Sequence, residues 1–297
     1  MRLRLDLAYD GTDFSGWATQ PGLRTVQNTV ESWITQVLGL PEPARLVVAG
    51  RTDAGVHATG QVAHLDLPDG VRVTLRDGTH QSVEHTLAHR LPRVLPEDVA
   101  LRQVSVVEDT FDARFSAIWR RYEYRLWDDL TIRDPLLRRR SATVRGELDL
   151  TSMRAAAQLL LGLHDFAAFC KPREGASTIR TLQQLDLERT DSGEVLVQVR
   201  ADAFCHSMVR SLVGALVGVG STSRRIARDQ QWLAGLLHRS ARDSSVVMMP
   251  ARGLTLVEVG YPDPREWAAR AQQARHRRDA SELDTPEPAV NLEGNQP

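Results

Sequence analysis

A chain of 297 residues, 42% hydrophobic and 25% charged, has the make-up of an ordinary globular protein, long enough for one large or two medium domains. It contains no apolar run that could span a bilayer, and its opening Met1-Arg2-Leu3-Arg4-Leu5-Asp6 alternates too strictly for a signal peptide. A cytoplasmic protein without a membrane partner is therefore expected. The net charge of −1 argues against indiscriminate coating of nucleic acid, although positive charge gathered on one face would still suit RNA.

Lys171 is the one lysine among 37 basic residues, so the positive charge is almost all arginine, the better fork for phosphate and carboxylate. Cys170 and Cys205 stand far apart, lack metal-ligand spacing and are too few for a disulfide framework. Both read as semi-buried thiols. The chain shows no Cys/His cluster for zinc, so no metal is expected.

In chain order, Leu3, Leu5 and Leu7 alternate with Arg2, Arg4 and Asp6 to give a strand over residues 2–9. A turn-rich stretch from Tyr9 to Trp17 follows. Thr25 then offers an N-cap for a helix carrying Val26, Val30, Trp33, Ile34, Val37 and Leu38 at helical spacing, which Gly39 closes. Buried-strand character over 45–49 and an alternating run over 61–67 make a strand pair. The spacing over 83–95 predicts a weaker helix broken at Pro92, and 99–106 another strand.

The order is β-α-β-β-α-β, and the second half repeats it. Residues 122–126 read as a strand, and Thr151 or Ser152 as the cap of a helix through Met153, Ala157, Leu160 and Leu161. A strand pair over 182–187 and 195–199 turns about Asp191-Ser192-Gly193. An apolar helix over 208–219 and a strand over 254–259 complete the copy. The expected organisation is α+β, in two ferredoxin-like halves, residues 1–108 and 109–262, with a cleft between them. Residues 263–297, acidic and proline-rich toward the end, read as a short helix fading into a flexible tail.

The stretch with most chemistry is Gly50-Arg51-Thr52-Asp53-Ala54-Gly55-Val56-His57, between the two strands of the first pair. It sets a carboxylate, a guanidinium and two glycines where a plain hairpin would need none of them. On its own such a loop could equally be an exposed turn in which Arg51 pairs with Asp53. The octapeptide, however, resembles the signature of the TruA-type tRNA pseudouridine synthases. Tyr9 to Trp17, Thr25-Val26-Gln27, Phe111 to Tyr124, Ala203-Phe204-Cys205-His206-Ser207-Met208-Val209-Arg210 and Ala251 to Leu254 resemble further blocks of that family, in its order. The resemblance covers about residues 3–262. It departs from the family's pattern at Ala18, at Ser207 and over His89-Arg90-Leu91-Pro92.

The resemblance implies a pseudouridine synthase fold and conversion of uridine to pseudouridine at positions 38–40 of the tRNA anticodon stem-loop, by a homodimer and without a cofactor. The reaction breaks the bond from ribose C1′ to uracil N1 and joins C1′ to C5, with no redox change or net hydrolysis. One carboxylate serves as nucleophile or general base, and it must be ionised. A cation beside it lowers its pKa and fixes its rotamer. From the residues alone, either Arg51 or Arg210 could be that cation.

The resemblance makes Asp53 the catalytic carboxylate, Arg210 its partner, and Arg51 an RNA contact. It also makes Tyr122, rather than Tyr124, the ring that stacks on the target uracil, with a hydroxyl that could help remove the C5 proton. Arg24, Arg114, Arg120 and Arg121 are further candidates for RNA contact, each with a solvated surface role as its alternative. His57 and His64 read as structural. Two rival readings remain: a non-catalytic RNA-binding module and a base-excising hydrolase, the latter marked by release of free uracil.

Overall fold

The computed structural model describes residues 1–68, 70–74, 78–173, 175–223, 227–275 and 280–284. In the first half the strands are β1 (Arg2–Tyr9), β2 (Leu46–Val48), β3 (His57–Asp66), β4 (Val73–Thr74), β5 (His80–Gln81) and β6 (Val99–Val107), with helices α1 (Val26–Leu38) and α2 (Val83–Val94). In the second they are β7 (Trp119–Trp127), β8 (Ala142–Thr143), β9 (Gly162–Asp165), β10 (Ile179–Arg189), β11 (Val195–Ala201) and β12 (Leu254–Gly260). Helices α3 (Leu150–Gln158), α4 (Met208–Gly220), α5 (Gln230–Leu236) and α6 (Trp267–Ala274) accompany them.

Leu3, Leu5 and Leu7 are fully buried on β1, as the alternation requires, and share one core with Val30 and Ile34 of α1. The Thr25 hydroxyl accepts from Asn28 N–H at the start of α1, and Gly39 closes the helix at φ 61°. In the second half the apolar helix is α4, buried almost all round, and it packs on α3.

Main-chain pairing joins both halves into one sheet, in the order β6-β1-β3-β12-β7-β11-β10-β9, with β2 on the far side of β3 and β8 against β7. Each half places its four repeat strands in the same spatial sequence: β6-β1-β3-β2, and β12-β7-β11-β10. The seam is a short parallel pairing in which Thr255 and Leu256 of β12 lie beside His57 and Ala58 of β3. That seam starts at the last residue of the octapeptide, which brings the loop before it against the second half.

Three local expectations are corrected. Helix α2 runs through Pro92: the proline removes one ladder donor near the helix end, and Leu95 N–H still reaches Leu91 C=O at 3.0 Å. The cap of α3 is Asp149, whose carboxylate accepts from Thr151 and Ser152 N–H, rather than either of those residues. Cys170 and Cys205 are joined in a disulfide, their Cα atoms 5.7 Å apart, because the turn after β9 folds back on the segment leading into α4. Spacing along the chain cannot reveal that approach.

The short helix expected after Pro262 is α6, docked by Trp267 against Phe111 at 4.8 Å. The tail expected beyond it falls, from residue 285 on, outside the described residues. Among the described residues no helix is long and apolar enough to cross a membrane.

Candidate active site

The loop between β2 and β3 is held from below by the turn that follows β1. Trp17 N–H donates to Thr52 C=O at 3.0 Å, and the Tyr9 hydroxyl lies 2.8 Å from Thr52 Oγ1. Gln61 Nε2 donates to Gly50 C=O at 2.9 Å and to the Tyr9 hydroxyl at 3.1 Å. Burial pushes that phenol up to about 12, so it stays a neutral hydrogen-bonding strut. The two backbones pack so closely that a Cβ on Gly11 would collide with the Val56 carbonyl, and one on Gly16 would come 2.9 Å from Thr52 O. Inside the loop, Val56 N–H donates to Asp53 C=O at 3.1 Å. The turn rich in glycine and aromatics is thus the cradle of the Asp53 loop.

The loop opens onto a cleft of about 1480 Å³, larger than small-molecule pockets, which run to roughly 1000 Å³. Asp53, Tyr122 and Arg210 all line it. Arg210 is the one charge on α4; its side chain is 14% exposed, and Nε donates to Met249 C=O at 2.7 Å. Nη1 then stands 3.8 Å from Asp53 Oδ2. A buried guanidinium needs such a partner, and of the two arginines weighed from sequence Arg210 is the one within ion-pair range of the carboxylate. Arg51 is exposed and lines the cleft.

A further group stands at the carboxylate: His206 Nε2 lies 3.4 Å from Asp53 Oδ1. Sequence reasoning passed over it as one letter of a motif.

Tyr122 sits mid-strand on β7, registered with Val199 of β11 and Leu256 of β12, and meets Phe204 edge-to-face at 5.1 Å. Burial holds its phenol well above the ordinary range, with the Asp53 charge adding to the effect. A phenol kept protonated at neutral pH can stack and donate a hydrogen bond. Tyr124, two residues on, donates to Pro250 C=O at 2.6 Å and does not line the cleft.

The structure separates the remaining arginines. Arg114 is exposed at the cleft over the Phe115 ring. Arg120 also lines the cleft, where its guanidinium donates to the carbonyls of Asp202, Ala49 and Arg114 at 2.7–2.9 Å. Arg121 pairs with Glu258 at 2.7 Å, and Arg24 makes a two-pronged pair with Asp98 at 2.7 and 2.8 Å. Neither lines the cleft.

Lys171, Arg173 and Arg242, which the sequence did not single out, do line it. The isolated lysine was the one signal available for them. Among the described residues ten arginines and lysines line the cleft against three carboxylates, so a chain of net charge −1 carries a positive cleft.

His57 and His64 are buried as structural rings. Gly11 N–H donates to His57 Nδ1 at 3.1 Å, and His57 Nε2 faces the carbonyls of Arg139 and Arg252; Ala113 N–H donates to His64 Nδ1 at 2.9 Å. Burial lowers the pKa of both.

A positive cleft floored by a sheet and centred on one carboxylate is the frame in which the comparisons fall. A family model described as tRNA pseudouridine synthase matches residues 156–262. The chain is 56% identical to a tRNA pseudouridine synthase A of Cutibacterium acnes, over 95% of this chain and 96% of that one. It is 52% identical to proteins of the same description from Frankia casuarinae, over 93% and 94%, and Leifsonia xyli, over 92% and 96%. The chain belongs to the tRNA pseudouridine synthase A family.

Proposed function

We propose that this protein converts uridine to pseudouridine in tRNA, at positions 38–40 of the anticodon stem-loop, as a homodimer with one tRNA lying across both subunits. The observation that carries the reading is a half-exposed carboxylate, Asp53, standing between the Arg210 guanidinium and the His206 imidazole in a positive cleft. Family membership supplies the reaction class.

In this reading the target nucleotide is extruded into the cleft, at a cost of a few kcal/mol that phosphate contacts along its rim offset. Arg51, Arg114, Lys171 and Arg173 supply those contacts. Asp53, held beside Arg210, acts at ribose C1′ as the bond to N1 breaks. Tyr122 stacks on the detached uracil and keeps it from diffusing while it turns. The C1′–C5 bond then forms, the proton leaves C5, and N1 takes up a proton. Atoms and electrons balance within the nucleotide, so no cofactor is called for.

The test is tritium release from tRNA labelled at uridine C5, with the wild-type chain and Asp53→Ala. Release by the wild type alone, with uracil retained in the RNA, is the expected result. Binding without release by either protein would turn the reading to an RNA-binding module. Free uracil would turn it to a base-excising hydrolase.

A further inference from the structure

Resting on that reading, we propose that His206 is a positioning residue of the site, holding Asp53 by the carboxylate oxygen that Arg210 does not face. Its Nε2 is 3.4 Å from Asp53 Oδ1, whereas Arg210 Nη1 is 3.8 Å from Oδ2. The carboxylate is thereby framed by a permanent cation on one side and a titratable donor on the other.

Three restraints, none of them made by the imidazole, fix the backbone that carries this ring. Cys205, immediately before it, is tied to Cys170. The His206 carbonyl accepts from Lys171 N–H at 3.0 Å. Ser207, immediately after it, is left-handed at φ 66°, the one non-glycine residue with positive φ among the described residues. A β-carbon makes that conformation costly, and such strain persists where the surroundings over-determine it. Each restraint would be superfluous for a ring that merely pointed to solvent. The ring stays 47% exposed at the cleft while its Nε2 faces the carboxylate, so the restraints hold it at the site rather than in the core.

Holding one carboxylate oxygen from each side removes rotation about the Asp53 side chain and keeps the attacking lone pair in one direction. The interaction is stronger while the imidazole carries its proton, since a charged donor binds a carboxylate about twice as strongly as a neutral one. Charged and titratable groups lining the same cleft include Asp53 and Arg51 on the β2–β3 loop, Arg120 and Tyr122 on β7, Lys171 after the turn, Asp202 after β11 and Arg210 on α4.

The experiment is single-turnover tritium release from C5-labelled tRNA by wild type, His206→Ala and His206→Gln, from about pH 5.5 to 8.5. His206→Ala should lose about 10- to 30-fold in rate with the KM for tRNA within about twofold. The amide of His206→Gln should restore the rate to within about threefold of wild type. The wild-type rate should fall as the imidazole loses its proton, and this fall should vanish in His206→Gln.

An unchanged rate in His206→Ala, or a loss confined to KM, would overturn the proposal in favour of a solvated or RNA-contacting ring. So would a pH-dependent fall that persists in His206→Gln. A wild-type chain that releases no tritium would instead overturn the functional reading, and this inference with it.

Discussion

Two aspartates in this molecule show how differently a fold can hold a carboxylate. Asp128, at the end of β7, is fully buried, and its oxygens take two bonds from Arg189 at 2.7 and 3.0 Å and others from Leu148 N–H, Leu130 N–H and the Thr131 hydroxyl. Asp53 is 32% exposed, and the His206 imidazole and Arg210 guanidinium stand back at 3.4 and 3.8 Å, within contact range but beyond a good hydrogen bond. The first carboxylate is saturated and serves the fold. The second keeps its lone pairs available, as the role proposed for it as nucleophile or base requires.

The comparison can be broken most sharply at its two ends. Asp53→Asn should lose at least about 10⁴-fold in tritium release, over 5 kcal/mol of barrier, while its urea midpoint stays close to wild type. Asp128→Ala should do the reverse. Stranding Arg189 should cost about 3–5 kcal/mol in urea unfolding and leave the rate of the folded fraction intact. If Asp53→Asn unfolds and Asp128→Ala stays stable but inactive, the roles assigned here are exchanged.

A smaller effect falls on the partner of Asp53. Arg210→Met keeps the helix and much of the side-chain volume but removes the charge, and should cost about 10²-fold in single-turnover rate, roughly 2.7 kcal/mol. Arg210→Lys should recover only part of it, since an ammonium cannot both bond Met249 C=O and reach Asp53 as the guanidinium does.

The smallest effect separates the two surroundings by acid. Burial alone would raise the Asp128 pKa, but the Arg189 fork and the backbone donors outweigh it and hold the carboxyl below 3.8. That contribution is present above 3.8 and is lost as pH falls through the lower folded-state value. The frame of the Asp53 loop depends instead on His57, with His64 further along β3, both held below 6.5 by burial. Their unfolded forms take up protons first, so stability is full above 6.5 and declines as pH drops below it. Thermal unfolding should therefore show a modest loss between about pH 7 and 5.5, and His64→Gln should reduce its slope.

Much of this was legible because local chemistry and tertiary structure agree. Thr25 caps and Gly39 closes α1 from residue type alone, and alternation on β1 marks the buried face. The octapeptide locates the site because its glycines, carboxylate and flanking strands must occur together. What could not be read is what depends on distant partners. Arg114 and Arg120 look alike in the sequence, yet one is exposed at the cleft and the other is caged by three carbonyls from separate segments. Cys170 and Cys205 carry no sign of pairing at a separation of 35 residues. His206 gains meaning only once β12 has brought the halves together, because its partner lies on the other side of the seam.

That seam also sets when the site can exist during synthesis. The strand that joins β3 to β7 is the last of the sheet to be translated. Until residues 254–260 leave the ribosome, the start of β3 and the β7 edge over residues 119–124 lack their β12 partner, and no completed cleft lies between them. Chains cut short before this point should be prone to stick to one another or to chaperones, and unable to engage RNA. On the proposed function, the order of translation acts as a quality gate, since the chain acquires its cleft only after β12 has been made.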